Sequence, residues 1–352
     1  MLVRIAYDAE SCKLKKPVPG WDDANIDFVF SVSSIVGTEG ASKLKAAAQK
    51  AGFEFRSKYG KHEVRDIRIT GAEAAAVYVA SKTETDVKEG DRMVVLDAGG
   101  GTSDVTMVIV SKRGSWRHDD IVLRPVSSQT IGGAYVDQDI QESLIDLMND
   151  SGISHDDAMF MAEKICRGDG FLKAKEGRED MSVDLKALRP TARAIRSGMK
   201  IDQGLLEVYG DCFDMFLARQ LFGPGGEKNR TNGIVEQVVT MRDDLLQMAP
   251  AKHAQFQQSF ERTNPTSETI DVVVFCGGVC KSGYLQRMVK TYLQMVPGEL
   301  KTADLAEITL GTRFVVPEEP QMCVVNGLVQ ARVRELETGR SLRTWLKRGF
   351  MA

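Results

Sequence analysis

Residues 93–110 read MVVLDAGGGTSDVTMVIV, and they restrict the fold more than any other stretch of the chain. Met93 to Leu96 is an unbroken apolar run into Asp97, the pattern of a buried strand. Ala98 to Gly101 then carry nothing larger than a methyl group before Thr102. The chain can turn sharply there, adopt φ > 0 and bring bare N–H groups close to a ligand. Asp104 and Thr106 alternate with Val105, Met107 and Ile109, the period of a second strand running back. A strand, a triple-glycine hairpin and a strand are expected, with a carboxylate on one side of the tip and a hydroxyl on the other. Such a tip suits a phosphate chain with Mg²⁺: backbone amides cradle oxygens, Thr102 donates to one, and Asp97 holds the metal through water. Three glycines in a hairpin are by themselves only a turn; Asp97 before them and Thr102-Ser103-Asp104 after them make the signal specific.

The remaining sequence bounds the setting. A chain of 352 residues can bury a sizeable core and is expected to form about two lobes. With 43% apolar and 27% charged residues and a net charge of −3, it reads as an ordinary globular protein without the basic excess that binds nucleic acid. No apolar run approaches the roughly 18 residues of a membrane span, and Met1-Leu2-Val3-Arg4 lacks a signal-peptide core, so a cytoplasmic location with no membrane partner is expected. The six cysteines (Cys12, Cys166, Cys212, Cys276, Cys280, Cys323) show no C-x-x-C spacing and the four histidines are scattered. Reduced structural thiols are expected rather than a metal site.

Along the chain, Lys13 to Lys16 and Pro17-Val18-Pro19-Gly20 read as surface loop. Phe28 to Val32 reads as a strand, and Thr38 as the cap of a helix with Ala41, Leu44, Ala48 and Ala51 on its apolar face, ended by Gly52. Asp66 to Ile69 reads as a second strand and Glu73 to Ser81 as an alanine-rich helix. Ile131-Gly132-Gly133 precedes a helix with Val136, Ile140, Leu144 and Leu147 on one face. Paired glycines there offer unpaired helix amides to an anion. Residues 150–265 read as mostly helical and polar, broken at Gly168-Asp169-Gly170 and Gly223-Pro224-Gly225-Gly226. Asp271 to Phe275 is a further buried strand; Cys276-Gly277-Gly278-Val279 turns into a helix capped by Ser282, with Leu285, Met288, Val289, Tyr292 and Leu293 on its inner face. Alternating strands and helices argue an α/β layered fold.

These motifs occur in an order that resembles a known family. DAGGGTSD is similar to the DLGGGTFD-type second phosphate loop of the actin-like ATPase superfamily, and in particular of the heat-shock protein 70 (DnaK-type) chaperones. DFVFSVSS, KLKAAAQKAGF and IRITGAEAAAVYVA resemble the second half of the first lobe there. IGGAYVD resembles the LGGEDFD segment, VVVFCGGVCKSGYLQRMV the adenosine motif ILVGGSTRIPxVQ, and Val324-Val325-Asn326-Gly327-Leu328-Val329 the closing AxGAA helix. The resemblance runs from Asp27 to Leu336. It implies an α/β, actin-like ATPase (ribonuclease H-like) two-lobed fold with an incomplete first lobe, of which residues 1–90 are a remnant. Residues 91–131 and 266–336 are then the nucleotide-binding core of the second lobe, 132–265 its helical upper subdomain, and 337–352 a basic tail carrying Arg340, Arg343, Lys347 and Arg348.

The resemblance further implies ATP or ADP with Mg²⁺ as the bound group, and protein clients or co-chaperones as partners. Asp97 and Thr102 would carry catalysis, Asp97 through water to Mg²⁺. Gly99, Gly100, Gly101, Thr102, Gly132, Gly133, Gly277, Gly278 and Lys281 would bind nucleotide. Lys173, Lys175 and Glu176 are the nearest matches to the family's adenosine-contacting helix, with Lys173 assigned to the nucleotide. Three departures stand against catalysis. Gly71 occupies the place of the family glutamate that orders the catalytic water. Lys281 replaces an adenine-stacking arginine and has no planar face. The DxGTT-type first phosphate loop has no counterpart before Asp27, where Tyr7-Asp8-Ala9-Glu10-Ser11 has the Asp without the Gly. No peptide-binding domain is expected after Leu336. Hydrolysis is expected to be weak or lost; the competing readings are a noncatalytic truncated relative acting as an interaction scaffold, and a bacterial-actin-type ATPase, which carries a segment like IGGAYVD.

Overall fold

The computed structural model describes residues 18–67, 69–82, 87–88, 91–110, 122–177, 179–222, 233–246, 270–294 and 312–338. The expectations for Tyr7 to Ser11, for Lys13 to Pro17, for Gly223 to Gly226 and for the tail beyond Thr338 lie outside them.

The first described elements build a small sheet. Strand β1 (Ile26–Phe28) lies parallel to β3 (Lys61–Val64), which pairs antiparallel with the short β2 (Phe55–Arg56). Helix α1 (Gly37–Ala48) joins the two halves, and Gly52, at φ 85°, turns the chain away from it as expected. Both strands sit earlier than the apolar pattern predicts. The ladder stops at Phe28, with Val32 making only a bridge to Thr70, and the second strand falls on Lys61–Val64 instead of Asp66 to Ile69. Aromatic packing explains the shift: Trp21, Phe55 and Phe28 surround the buried His62 ring at 4.6, 5.3 and 6.2 Å between centroids. Thr38 does not cap α1; the position before the helix is Val36, and Thr38 lends only its carbonyl to Ser42 Oγ, at 2.9 Å.

Helix α2 (Gly71–Ser81) starts at a capping box. Thr70 Oγ1 accepts from the Glu73 amide at 3.3 Å, and Glu73 Oε2 accepts from the Thr70 amide at 2.7 Å. Strands β4 (Arg92–Ala98), β5 (Ser103–Ile109) and β6 (Val122–Gln129) follow as an antiparallel meander. Next come α3 (Gly133–Asp150), α4 (His155–Cys166) and α5 (Asp169–Gly177).

The stretch expected to be mostly helical also contains a four-stranded antiparallel sheet. It is made of β7 (Met181–Asp184), β8 (Ala194–Arg196), β9 (Met199–Asp202) and β10 (Leu205–Val208), in the order β7-β10-β9-β8. Two tight hairpins hold it, Ser197-Gly198 and Gln203-Gly204, with all four residues at positive φ. Helices α6 (Asp211–Phe222) and α7 (Ile234–Leu246) lead to β11 (Val272–Cys276), α8 (Gly283–Gln294), β12 (Arg313–Val315) and α9 (Cys323–Thr338).

A five-stranded mixed sheet, ordered β12-β11-β4-β5-β6, is the centre of the molecule. β11 and β12 run parallel to β4 on one side, while β5 and β6 pair antiparallel on the other. Flanked on both edges, β4 sends its side chains alternately to two cores. Val94 and Leu96 pack with α3, α6, α7 and α8, and Met93 and Val95 pack with α2 and the start of α9. Each such side chain, fully buried, contributes about 1.5–3 kcal/mol. The fold is thus α/β, with the central sheet between two helical layers. Helix α2, which the sequence places among residues 1–90, lays its Ala75, Ala76, Val79 and Ala80 face on this central sheet. No helix among the described residues is long and apolar enough to cross a membrane.

Candidate functional site

The hairpin forms where the sequence places it. Asp97 faces Asp104, Ala98 faces Ser103, and the Gly99 amide closes the turn by donating to Thr102 O at 3.0 Å. Its glycines are not there for the reason expected. None of Gly99, Gly100 and Gly101 has positive φ, and a Cβ added to Gly100 or Gly101 would meet nothing within 4 Å. The turn itself therefore does not demand them; what they leave is bare backbone at an open tip.

Gly132 is the glycine that geometry requires. A Cβ there would lie 2.4 Å from Gly100 O. This close approach lets the first turn of α3 grip the tip, with the Gly133 amide donating to Gly99 O at 3.0 Å and the Ala134 amide to Gly100 O at 2.8 Å. The Tyr135 amide is also occupied, by Gly132 O at 3.1 Å. The free anion-binding helix terminus expected from Gly132-Gly133 is therefore absent at these three positions, because their amides already serve the hairpin. Gly277 is likewise structural: at φ 83°, it packs so tightly that a Cβ would lie 2.3 Å from Ala98 O. Gly278, by contrast, faces open space.

These motifs meet. A cavity of about 360 Å³ lies outside the carboxyl ends of β4 and β11, walled by Gly99 and Gly100, by Gly133, and by Gly278 with Lys281 and Ser282. It sits where the chain order reverses, with β5 and β6 to one side and β11 and β12 to the other, the place at which open α/β sheets bind ligands. Its apolar wall is Val136, Phe213, Leu217 and Val279, and its far end carries Asp137 paired with Lys175. Lys173 is exposed and outside the lining, a correction to its assignment; residues two apart on a helix point to nearly opposite sides, and Lys175 takes the inner one. Gly101, Thr102, Gly132 and Gly277 support the walls without lining them. Phe213 and Leu217 were missed by sequence reasoning, since buried residues four apart on a helix look like any core face.

Asp97 lies just behind the tip. Its carboxylate is held between two glycines: a Cβ on Gly71 would be 2.6 Å from Oδ2, and one on Gly277 would be 2.8 Å from Oδ1. Burial, and secondarily the charge of Asp104, pushes Asp97 up to about 7. No hydrogen-bond donor among the described residues lowers it. Asp104 is also raised, chiefly by burial, but it is partly offset by hydrogen bonds from Ser128 and Ser33. Ser33 Oγ donates to Asp104 Oδ1 at 3.0 Å and the Ser34 amide reaches the same oxygen at 3.4 Å, tying the N-terminal part to the central sheet. Among the described residues no cluster of three or more His, Cys, Asp or Glu could cage a metal ion. Asp97 is suited to a hydrated cation, held through water and completed by a ligand's own oxygens. Cys166, Cys212, Cys276, Cys280 and Cys323 are free thiols, Cys166 half-buried and the others buried. A scan against protein-family models and a search of curated proteins gave no match.

Proposed function

We propose that this chain is a nucleotide-binding protein of the actin-like ATPase superfamily, of the heat-shock protein 70 type, that holds ATP or ADP with Mg²⁺ and hydrolyses it weakly or not at all. The observation that carries the reading is convergence: glycine motifs around residues 99, 133 and 278, remote in sequence, wall one cavity at the switch point of the central sheet. The phosphates belong at the bare hairpin tip, and the base and ribose along Phe213, Leu217 and Val279 with Lys281 and Ser282. Bound Mg²⁺ would supply the charge that neutralises the phosphate oxygens. Asp97 would hold its water, and the actin-like two-lobed arrangement would place the small sheet across the cleft from the cavity.

Weak hydrolysis follows from the residues beside Asp97. Gly71 has no side chain to orient a water, and a Cβ there would collide with the Asp97 carboxylate. Glu73 is spent on the capping box, with Thr70 Oγ1 donating to Oε2 at 3.0 Å in addition to the backbone contact. Positioning supplies most of the acceleration in phosphoryl transfer, so its loss weighs on the chemical step more than on binding. The same residues favour, as a second reading, a noncatalytic relative that uses nucleotide only to set its shape for protein partners in the cytoplasm. Calorimetric titration with ATP and with ADP, with and without Mg²⁺, tests the proposal. Saturable, Mg²⁺-dependent binding is expected, and absence of binding at millimolar nucleotide would remove it; turnover measured on the same sample separates the two readings.

A further inference from the structure

Two of the buried thiols face each other. Cys276 ends β11 and Cys323 begins α9, and both are fully buried in the core between the central sheet and α2. Their side chains share a hydrogen bond, and the Cys323 thiol donates to Glu319 O at 3.8 Å. The Cys323 sulfur therefore accepts from Cys276. The backbones beside them are joined as well, since the Gly277 amide donates to Pro320 O at 2.9 Å. Cys280 is close in sequence but lies in the core on the other face of the sheet, where its thiol donates to Leu96 O at 3.7 Å. Cys166 and Cys212 belong to that other face too.

The pair sits beside the seat of Asp97. Gly277, next to Cys276, would place a Cβ 2.8 Å from Asp97 Oδ1. Val324, next to Cys323, lies 3.7 Å from a Cβ built on Gly71, the residue that stands against Oδ2. Each cysteine is thus one residue away from the packing on one side of the carboxylate. Met322 and Val325, which flank Cys323, are exposed, so a single turn of α9 separates the thiols from solvent.

We propose that Cys276 and Cys323 are a redox pair, joined by a hydroperoxide into a disulfide that locks the start of α9 to the end of β11 beside Asp97. Cys323 is the attacking thiol, because the N-terminal end of a 16-residue helix and the hydrogen bond from Cys276 both favour its thiolate. Its sulfur takes one peroxide oxygen; the O–O bond breaks, and the other oxygen leaves with the proton that the thiol has lost, giving a sulfenic acid and, from hydrogen peroxide, water. The Cys276 sulfur then attacks the sulfenic sulfur. The S–S bond forms, the S–O bond breaks, and hydroxide leaves with the Cys276 proton as a second water. Two thiols have given up two electrons and the peroxide has accepted them. An S–S bond of about 2.05 Å is shorter than any contact between thiols, so closure draws the two segments together. A dithiol reverses it by exchange.

Peptide mapping of the full chain after hydrogen peroxide, with free thiols alkylated in denaturant and no reductant present, tests the pairing. The chain should lose two hydrogens in mass and yield one linked peptide pair carrying Cys276 and Cys323, and dithiothreitol should restore both thiols. Cys323→Ser should abolish the link and Cys280→Ser should keep it. Amides of residues 324–330 should exchange about tenfold more slowly in the oxidised chain. The proposal is overturned if both cysteines remain open to alkylation, if either is found linked to a different cysteine, or if the link forms and exchange in α9 is unchanged. None of these readouts depends on bound nucleotide.

Discussion

The Cα of Gly71 stands against the carboxylate of Asp97, so that a Cβ there would come within 2.6 Å of Oδ2. Gly71→Ala should therefore displace the carboxylate without straining the backbone, since Gly71 is not among the positive-φ glycines. A loss of about 1–3 kcal/mol of stability and a marked drop in Mg²⁺-nucleotide affinity are expected, read by denaturant unfolding and by calorimetry. Gly71→Glu, which supplies the carboxylate that the proposed family would place there, should not raise turnover, because the side chain would enter space that Asp97 already fills.

The raised pKa of Asp97 predicts a pH dependence. With a folded value of about 7 against an unfolded value near 3.9, the folded state binds the proton more tightly. The stabilisation is complete below about pH 4, falls as pH rises through the interval up to about 7, and is gone above it. Asp97→Asn should accordingly raise the melting temperature at pH 8 more than at pH 4.5. Thermal scans at the two pH values check this; equal shifts would show that the carboxylate is not desolvated.

A cation reverses that preference, because it needs the ionised form. Affinity for Mg²⁺-nucleotide should increase by about tenfold between pH 6 and 8, and the proton release that accompanies binding should disappear in Asp97→Asn. Calorimetry in two buffers of different ionisation enthalpy measures the protons directly.

Two alanine substitutions separate ligand-facing from structural glycines. Gly100→Ala enters open space beside the cavity and should leave unfolding within about 0.5 kcal/mol of the parent while weakening nucleotide binding. Gly132→Ala drives a methyl group into the Gly100 carbonyl and should destabilise by about 1–3 kcal/mol. Unfolding curves and titrations on the same two proteins provide the contrast.

Lys175→Ala should lower nucleotide affinity, since its ammonium is at the cavity wall, whereas Lys173→Ala should have no effect. A competition assay with a fluorescent nucleotide is sufficient to rank them.

The parts legible in the sequence are those written locally. Residues 93–110 show the hairpin because alternation and glycines occur within one stretch, and the alanine run after Glu73 shows α2, which begins two residues earlier at Gly71. The four-stranded sheet was also announced, by Ser197-Gly198 and Gln203-Gly204, but MSVD, MKID and LLEV are short strands beside helical segments and are easily read as loop. What lay beyond local reading is tertiary. That Gly133 and Ala134 donate to the hairpin follows only once α3 is set against the tip, and His62 becomes a core residue only when three aromatic rings close around it.

The contact of Gly327 with Ala74 has a mechanical consequence. Two helices that meet this closely cannot slide along either axis without driving a carbonyl into the opposite helix, and Val77, Val324, Leu328 and Ala331 pack around the crossing. The junction between α2 and α9 is then a brace, fixed to the central sheet through both helices. The ion pair from Arg332, further along α9, to Asp27 in β1, at 2.8 Å, carries that brace across to the small sheet.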